Sequence, residues 1–197
     1  MAGTIKVDQV QSDSNLSFNL AGSNVAYLNA TSLQLVSSNI SLAGTNVFTS
    51  GKLVTSAQPV GAVLQVVQSQ LTSGQSTTST SLVTSNLSGS ITPISTSSKI
   101  LIYVTGGKTY VAGASNILLC TMYRNGSTLG VAATWCPSSD TNGNGANHGF
   151  SYLDSPSSTS SVTYTPYYRS VSGGIVYFND GAGTYGYTNM ILMEIAA

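Results

Sequence analysis

Six short runs of β-branched, aromatic and aliphatic residues, set apart by clusters of Gly, Ser, Asn, Asp and Pro, constrain this chain more than any other feature. They are Ala62–Val67, Lys99–Val104, Ile117–Tyr123, Val162–Tyr164, Ile175–Phe178 and Met190–Ile195. No window of about eleven residues repeats apolar positions at i, i+3, i+4 and i+7 between caps, and the charged helix formers Glu, Lys and Arg are scarce. Strands bounded by turn clusters, with no helices between them, read as an all-β sandwich or barrel. The sharpest turn is Arg124-Asn125-Gly126-Ser127, because Asn-Gly supplies the two positive φ angles that a type I′ hairpin requires.

The aromatic residues divide the chain. Only Phe18, Tyr27 and Phe48 precede residue 60, whereas ten of the eleven tyrosines, Trp135, Phe150 and Phe178 lie between Tyr103 and Tyr187. The first part carries a repeat, Leu20-Ala21-Gly22-Ser23-Asn24-Val25 returning as Leu42-Ala43-Gly44-Thr45-Asn46-Val47. Small polar repeats of this length cannot bury a core alone and must stack on neighbours or on other chains. Residues 1–58 are therefore expected to be a β-strand anchoring and oligomerisation segment, and residues 59–197 a β-sandwich domain. Thr55–Gly61 has the composition of a connector, and Ser69–Thr80 that of a long loop or a sheet edge.

Charge excludes some functions outright. Six Lys and Arg face six Asp and Glu, only 6% of the residues, so there is no basic surface to neutralise phosphates and no source for nucleic-acid binding. Ser and Thr make up more than a quarter of the chain, so hydroxyls and amides must solvate its surface. No apolar stretch reaches the ~18 residues of a membrane helix, and Met1–Val10 has no apolar signal-peptide core, so neither membrane insertion nor secretory export is expected. Cys120 and Cys136 lack CxxC spacing and are expected to be reduced, with a disulfide between them as the alternative. The Asn-x-Ser/Thr triplets at Asn15, Asn29, Asn39, Asn86 and Asn125 follow from composition alone.

Titratable groups suited to catalysis are few. His148 is the only imidazole, so a Ser-His-Asp arrangement would need it together with Asp140 or Asp154. Its setting, Asn144-Gly145-Ala146-Asn147-His148-Gly149, reads instead as a surface loop, and no catalytic residue is assigned. Asp140, Asn142 and Asn144, followed by Gly145, match the first half of a calcium loop, but Ser151 stands where a bidentate Glu is needed. A plain Asn/Gly turn explains the same letters, so no metal and no cofactor is expected. Tyr185 and Tyr187, among glycines, and Tyr167 and Tyr168, beside Pro166, are candidates with Trp135 for stacking on sugar rings. The competing reading packs such rings inside a sandwich or a subunit interface.

The opening Met1-Ala2-Gly3-Thr4-Ile5-Lys6-Val7-Asp8-Gln9-Val10-Gln11-Ser12 resembles the N-termini of tail-fibre-like and virion surface proteins of tailed phages, especially those of cyanobacteria. Ile91–Ile102, Gly149–Pro156, Val162–Tyr164 and Ile191–Ile195 are similar to the globular β domain that ends such proteins. The resemblance implies a homotrimer, an N-terminal part that attaches to other virion proteins, and an outward C-terminal jelly-roll-like sandwich. It transfers no catalytic residue. It implies a non-enzymatic structural protein, assembled in the host cytoplasm and exposed on the particle as a short tail fibre that binds a host surface glycan. Capsid decoration, cementing the major capsid protein, is the alternative placement, and a lectin-like carbohydrate-binding module is the competitor outside the virion.

Overall fold

The computed structural model describes residues 39–42, 45–49, 52–53, 58–113, 115–138, 144–181 and 183–197. No helix occurs among them. β1 (Asn39–Leu42), β2 (Thr45–Thr49) and β3 (Lys52–Leu53) form a small antiparallel meander. Of the second copy of the repeat, Leu42 ends β1 and Thr45, Asn46 and Val47 open β2; the first copy lies outside the described residues.

The larger part is a β-sandwich of two antiparallel sheets. The front sheet has the order β4 (Val63–Leu71), β14 (Thr188–Ile195), β8 (Lys99–Val111), β13 (Val176–Phe178), β5 (Gln75–Thr77), and β11 (Asn144–Asp154) also pairs with β8. The back sheet has the order β10 (Ser127–Ser138), β9 (Asn116–Arg124), β12 (Val162–Ser170), and two short strands, β6 (Val83–Thr84) and β7 (Gly89–Ile91), pair successively along β12. All six apolar runs lie on these strands, except that Ala62 and Ile175 just precede β4 and β13. The β9–β10 hairpin turns through Asn125 at φ 49° and Gly126 at φ 78°, with Arg124 opposite Ser127, as its letters require.

Alternation builds the core. Ile100, Ile102 and Val104 of β8 and Met190 and Leu192 of β14 face Leu118, Cys120 and Met122 of β9 and Tyr164 and Tyr168 of β12. Each fully buried aliphatic side chain contributes about 2 kcal/mol. Tyr168 stacks on Phe178 of the opposite sheet with ring centroids 5.4 Å apart. Pro166 sits inside β12, where a missing N–H would break a ladder. Its carbonyl accepts the Ser85 N–H, so the missing donor faces the gap between β6 and β7.

Several polar groups inside the sandwich are tied, although the Asn116 Nδ2 is buried without a partner among the described residues. The Arg124 guanidinium donates to both oxygens of Asp154 (2.8 and 3.1 Å) and the Tyr164 hydroxyl donates to one of them (2.7 Å), joining β9 and β12 to β11 of the other sheet. Asn179, fully buried with φ 59°, donates to the carbonyls of Leu71 and Ser73 and accepts the N–H and hydroxyl of Thr188. Glu194 accepts the Gln65 amide and the Ile94 N–H, anchoring β14 to the segment before β8.

One expectation changes. Asn144–Gly149 is not a surface loop but the first half of β11, with Gly145 opposite Tyr110 and Gly149 opposite Thr105. A backbone ladder along β8 holds these residues extended, whatever their turn propensity. Of the two readings of Ser69–Thr80, the sheet edge is the one observed: the segment holds the end of β4, which continues to Leu71, and all of β5, the two outermost strands of the front sheet. Cys120 is a buried free thiol, and Cys136 lies on β10 opposite Leu118.

Asn179→Ala leaves two carbonyls and an N–H unpartnered at a left-handed φ, and is expected to cost about 3 kcal/mol in urea unfolding. Burial pushes the Cys120 thiol and the Tyr168 hydroxyl up to about 12, and it raises Tyr164 further, aided by the hydrogen bond to Asp154 and its charge. A raised folded value means stability that is complete below the unfolded value and lost as pH climbs through the folded one. The urea midpoint is therefore expected to fall between about pH 9 and 12, and Tyr168→Phe, which keeps the ring, should flatten that fall. At the acid end the sign reverses. Burial alone would raise Glu194, but contacts from Ser98, Gln65, Ile94 and Ser95 outweigh it and hold the carboxyl low, so its contribution disappears as pH drops below the ordinary carboxylate range.

Candidate functional site

The front sheet presents a group of aromatic side chains at one end. In β8, Thr109 and Val111 are buried, so the alternate residues Lys108 and Tyr110 point outwards. Tyr177 of β13 is paired with Tyr110, and the two rings lie 5.7 Å apart. After Phe178 the left-handed Asn179 takes the chain off the ladder, and the Asp180 N–H donates to the Lys108 carbonyl. That contact brings the Asp180 carboxylate to 3.1 Å from the Lys108 ammonium.

The following turn folds back over the lysine. The Gly181 carbonyl accepts the N–H groups of Thr184 and Tyr185, and the Tyr185 ring lies 4.4 Å from Lys108 Nζ. The same nitrogen is 5.0 Å from the Tyr110 ring. Gly181, at φ 59°, is needed here because a Cβ on it would come within 2.5 Å of the Tyr185 ring. Tyr185 nevertheless remains 56% exposed and Tyr187 39%.

Chemically this is a ledge of ring faces and phenolic hydroxyls around a cation neutralised by its carboxylate. It can stack on an apolar face and exchange hydrogen bonds with hydroxyls, both of which a sugar ring offers. Among the described residues no three His, Cys, Asp or Glu side chains converge on a possible metal position.

The structure separates the residues that sequence grouped together. Tyr185 lies on the ledge, and Tyr187 follows two residues later with its hydroxyl beside Gly183 of the same turn. Tyr167 is on the outer face of the back sheet, stacked on Tyr123 at 3.9 Å. Tyr168 is in the core, 2% exposed, so it is withdrawn as a ligand contact: alternation turns one of two adjacent tyrosines inwards. Trp135 lies on β10 opposite Leu119, also in the back sheet. Asp140 and Asn142 lie outside the described residues, and the backbone of Asn144 is in β11 opposite Val111. His148 is opposite Gly106, about 20 Å along β11 from Asp154 at ~3.4 Å per residue. Asp154 is in turn occupied by Arg124 and Tyr164.

Lys108, Tyr110, Tyr177 and Asp180 were missed. The signal available was the alternation Lys108-Thr109-Tyr110 within a strand, which puts a cation and a ring on one face.

A second concavity, about 400 Å³, opens at the other end of β8 and β14, lined by Gln58, Val60, Leu64, Ile94, Ser98 and Ala196 among others. No titratable side chain lines it. The sequence matches no known protein family and no curated protein.

Lys108→Met is expected to lower stability by no more than about 1 kcal/mol, since partly exposed ion pairs and cation–π contacts are weak. It should, however, free Tyr185, measured as faster nitration of that residue in the folded protein.

Proposed function

We propose that this chain is a non-enzymatic structural protein of a tailed-phage virion, a homotrimeric short tail fibre that attaches through residues 1–58 and displays residues 59–197 to bind a host surface glycan. The observation that carries the reading is the opposition of two ends. The chain enters the sandwich at Gln58, beside Ala196, whereas the tyrosine ledge lies past Gly106 at the other end of β8. From Lys99 to Lys108 that strand spans about 30 Å at ~3.4 Å per residue. A domain tethered at one end and aromatic at the other suits display of a binding tip.

The jelly-roll-like reading rests on strand order. Taking β6 and β7 as one broken strand, β4, β14, β8 and β11 adjoin in one sheet and β7, β12, β9 and β10 in the other. Successive strands from β7 to β12 largely alternate between the sheets or join by hairpin, as two nested Greek keys require. The virion setting rests on the resemblance of Met1–Ser12 and of the C-terminal segments to phage surface proteins.

Glycan-array binding by the full chain tests the adhesin role. Tyr185→Ala with Tyr187→Ala is expected to weaken binding at least tenfold, while Tyr167→Ala on the other sheet leaves it unchanged. If the wild type binds no host-surface glycan and electron cryo-microscopy finds the protein on the head, the capsid-decoration reading replaces this one. Glycan binding by a protein absent from particles would favour the lectin-like module.

A further inference from the structure

The outer face of the front sheet departs from what a solvated antiparallel sheet shows. Such a sheet alternates apolar inside with polar outside, as β12 does by sending Thr163, Thr165, Tyr167 and Arg169 outwards. β14 instead is apolar on both faces: Met190 and Leu192 point into the core, and Ile191, Met193 and Ile195 point out.

The pairing register extends this stripe across four strands. Met193 stands between Val66 and Leu101, and Leu101 in turn is opposite Leu153, so one row across the sheet is wholly apolar. On one side of it Ile195 stands between Val63 and Lys99; on the other, Ile191 stands between Gln68 and Tyr103. Val66 is 57% exposed, Val63 54%, Leu153 47% and Tyr103 44%. Four of the large apolar residues most exposed in the sandwich thus lie on one face of the front sheet.

We infer that this face is the contact surface between copies of this chain. The inference rests on the many-copy part of the proposed function and names the surface that would serve it. Size is the first argument. Four strands ~4.8 Å apart, over the length from Val63 to Gln70, project on the order of 500 Å². Being corrugated, their accessible area approaches the ~800 Å² per partner of a standard interface.

Charge is the second argument. Lys99, at the end of its row, is the only charged residue in these rows, and beyond them the face continues as a hydrogen-bonded amide group in which Gln68 and Gln70 donate to Asn189. A partner rich in charge would have to desolvate ions against apolar rows, at a cost of several kcal/mol per ion. A second copy, from a chain with 6% charged residues, would not.

Sedimentation equilibrium of the full chain is the test. The wild type is expected to be oligomeric at micromolar concentration. Val66→Glu with Leu153→Glu should raise the dissociation constant roughly 100-fold or more, with circular dichroism and the protection of Cys120 from alkylation retained. Thr165→Glu, on the outer face of the back sheet, should change neither. If the acidic pair does not fold, Val66→Thr with Leu153→Thr, which keeps strand propensity, carries the test in the same direction. An oligomer indifferent to these changes overturns the inference and leaves the many-copy reading standing. A monomeric wild type, whether this face is bare or covered by the chain's own residues 1–57, overturns both.

Discussion

The sandwich depends on how its two sheets are keyed to each other. Apolar burial draws them together but is non-directional, so by itself it leaves their offset free. Asp154 supplies the direction. It is 5% exposed, belongs to β11 of the front sheet, and accepts from Arg124 and Tyr164 of the back sheet. A carboxylate buried this deeply is tolerated only with its partners in place, so this group of three sets where β9 and β12 cross β11. Asn179 performs the comparable task at the tyrosine end. It holds the end of β4, the start of β14 and the turn that carries Tyr185 in one hydrogen-bonded unit.

The small number of charges takes on a different meaning once they are located. Arg124 and Asp154 bridge the sheets, Glu194 is fully buried against amide donors, and Lys108 is neutralised by Asp180 under two aromatic rings. These five ions are each held by a partner, while Lys99 and Arg169 stay on a described surface made otherwise mainly of hydroxyls, amides, tyrosines and the apolar rows. Such a surface carries little long-range field. Its recognition must come from shape, stacking and short hydrogen bonds, which suits neutral sugars and copies of itself better than ionic partners.

Much of the fold was legible because strands declare themselves through period two and punctuation. The apolar runs became strands, and Asn125-Gly126 made its hairpin, since those signals are local. β11 was only partly legible: Asn144–Gly149 is rich in turn formers and became strand because β8 offers it a ladder along its whole length. Tyr167 and Tyr168 show the same limit at the level of one residue. Both are aromatic and adjacent, and only the phase of β12 against the core decides that one stacks outside on Tyr123 and the other inside on Phe178.

The candidate site followed the same division. Tyr185 and Tyr187 stood out through their glycine neighbours, whereas Lys108 and Tyr110 carry only the mark of strand alternation and Tyr177 and Asp180 none, and the four come together through the β8–β13 pairing and the left-handed turn at Asn179. By itself, the sequence determined that this chain is all-β, poor in charge and unlike in composition before and after about residue 60, because composition, alternation and turn chemistry act over a few residues. Tertiary structure alone decided which tyrosines meet, which charges are buried and which apolar residues form a row across four strands. Those outcomes depend on register between strands far apart in the chain, where a shift of one residue would move every side chain to the opposite face.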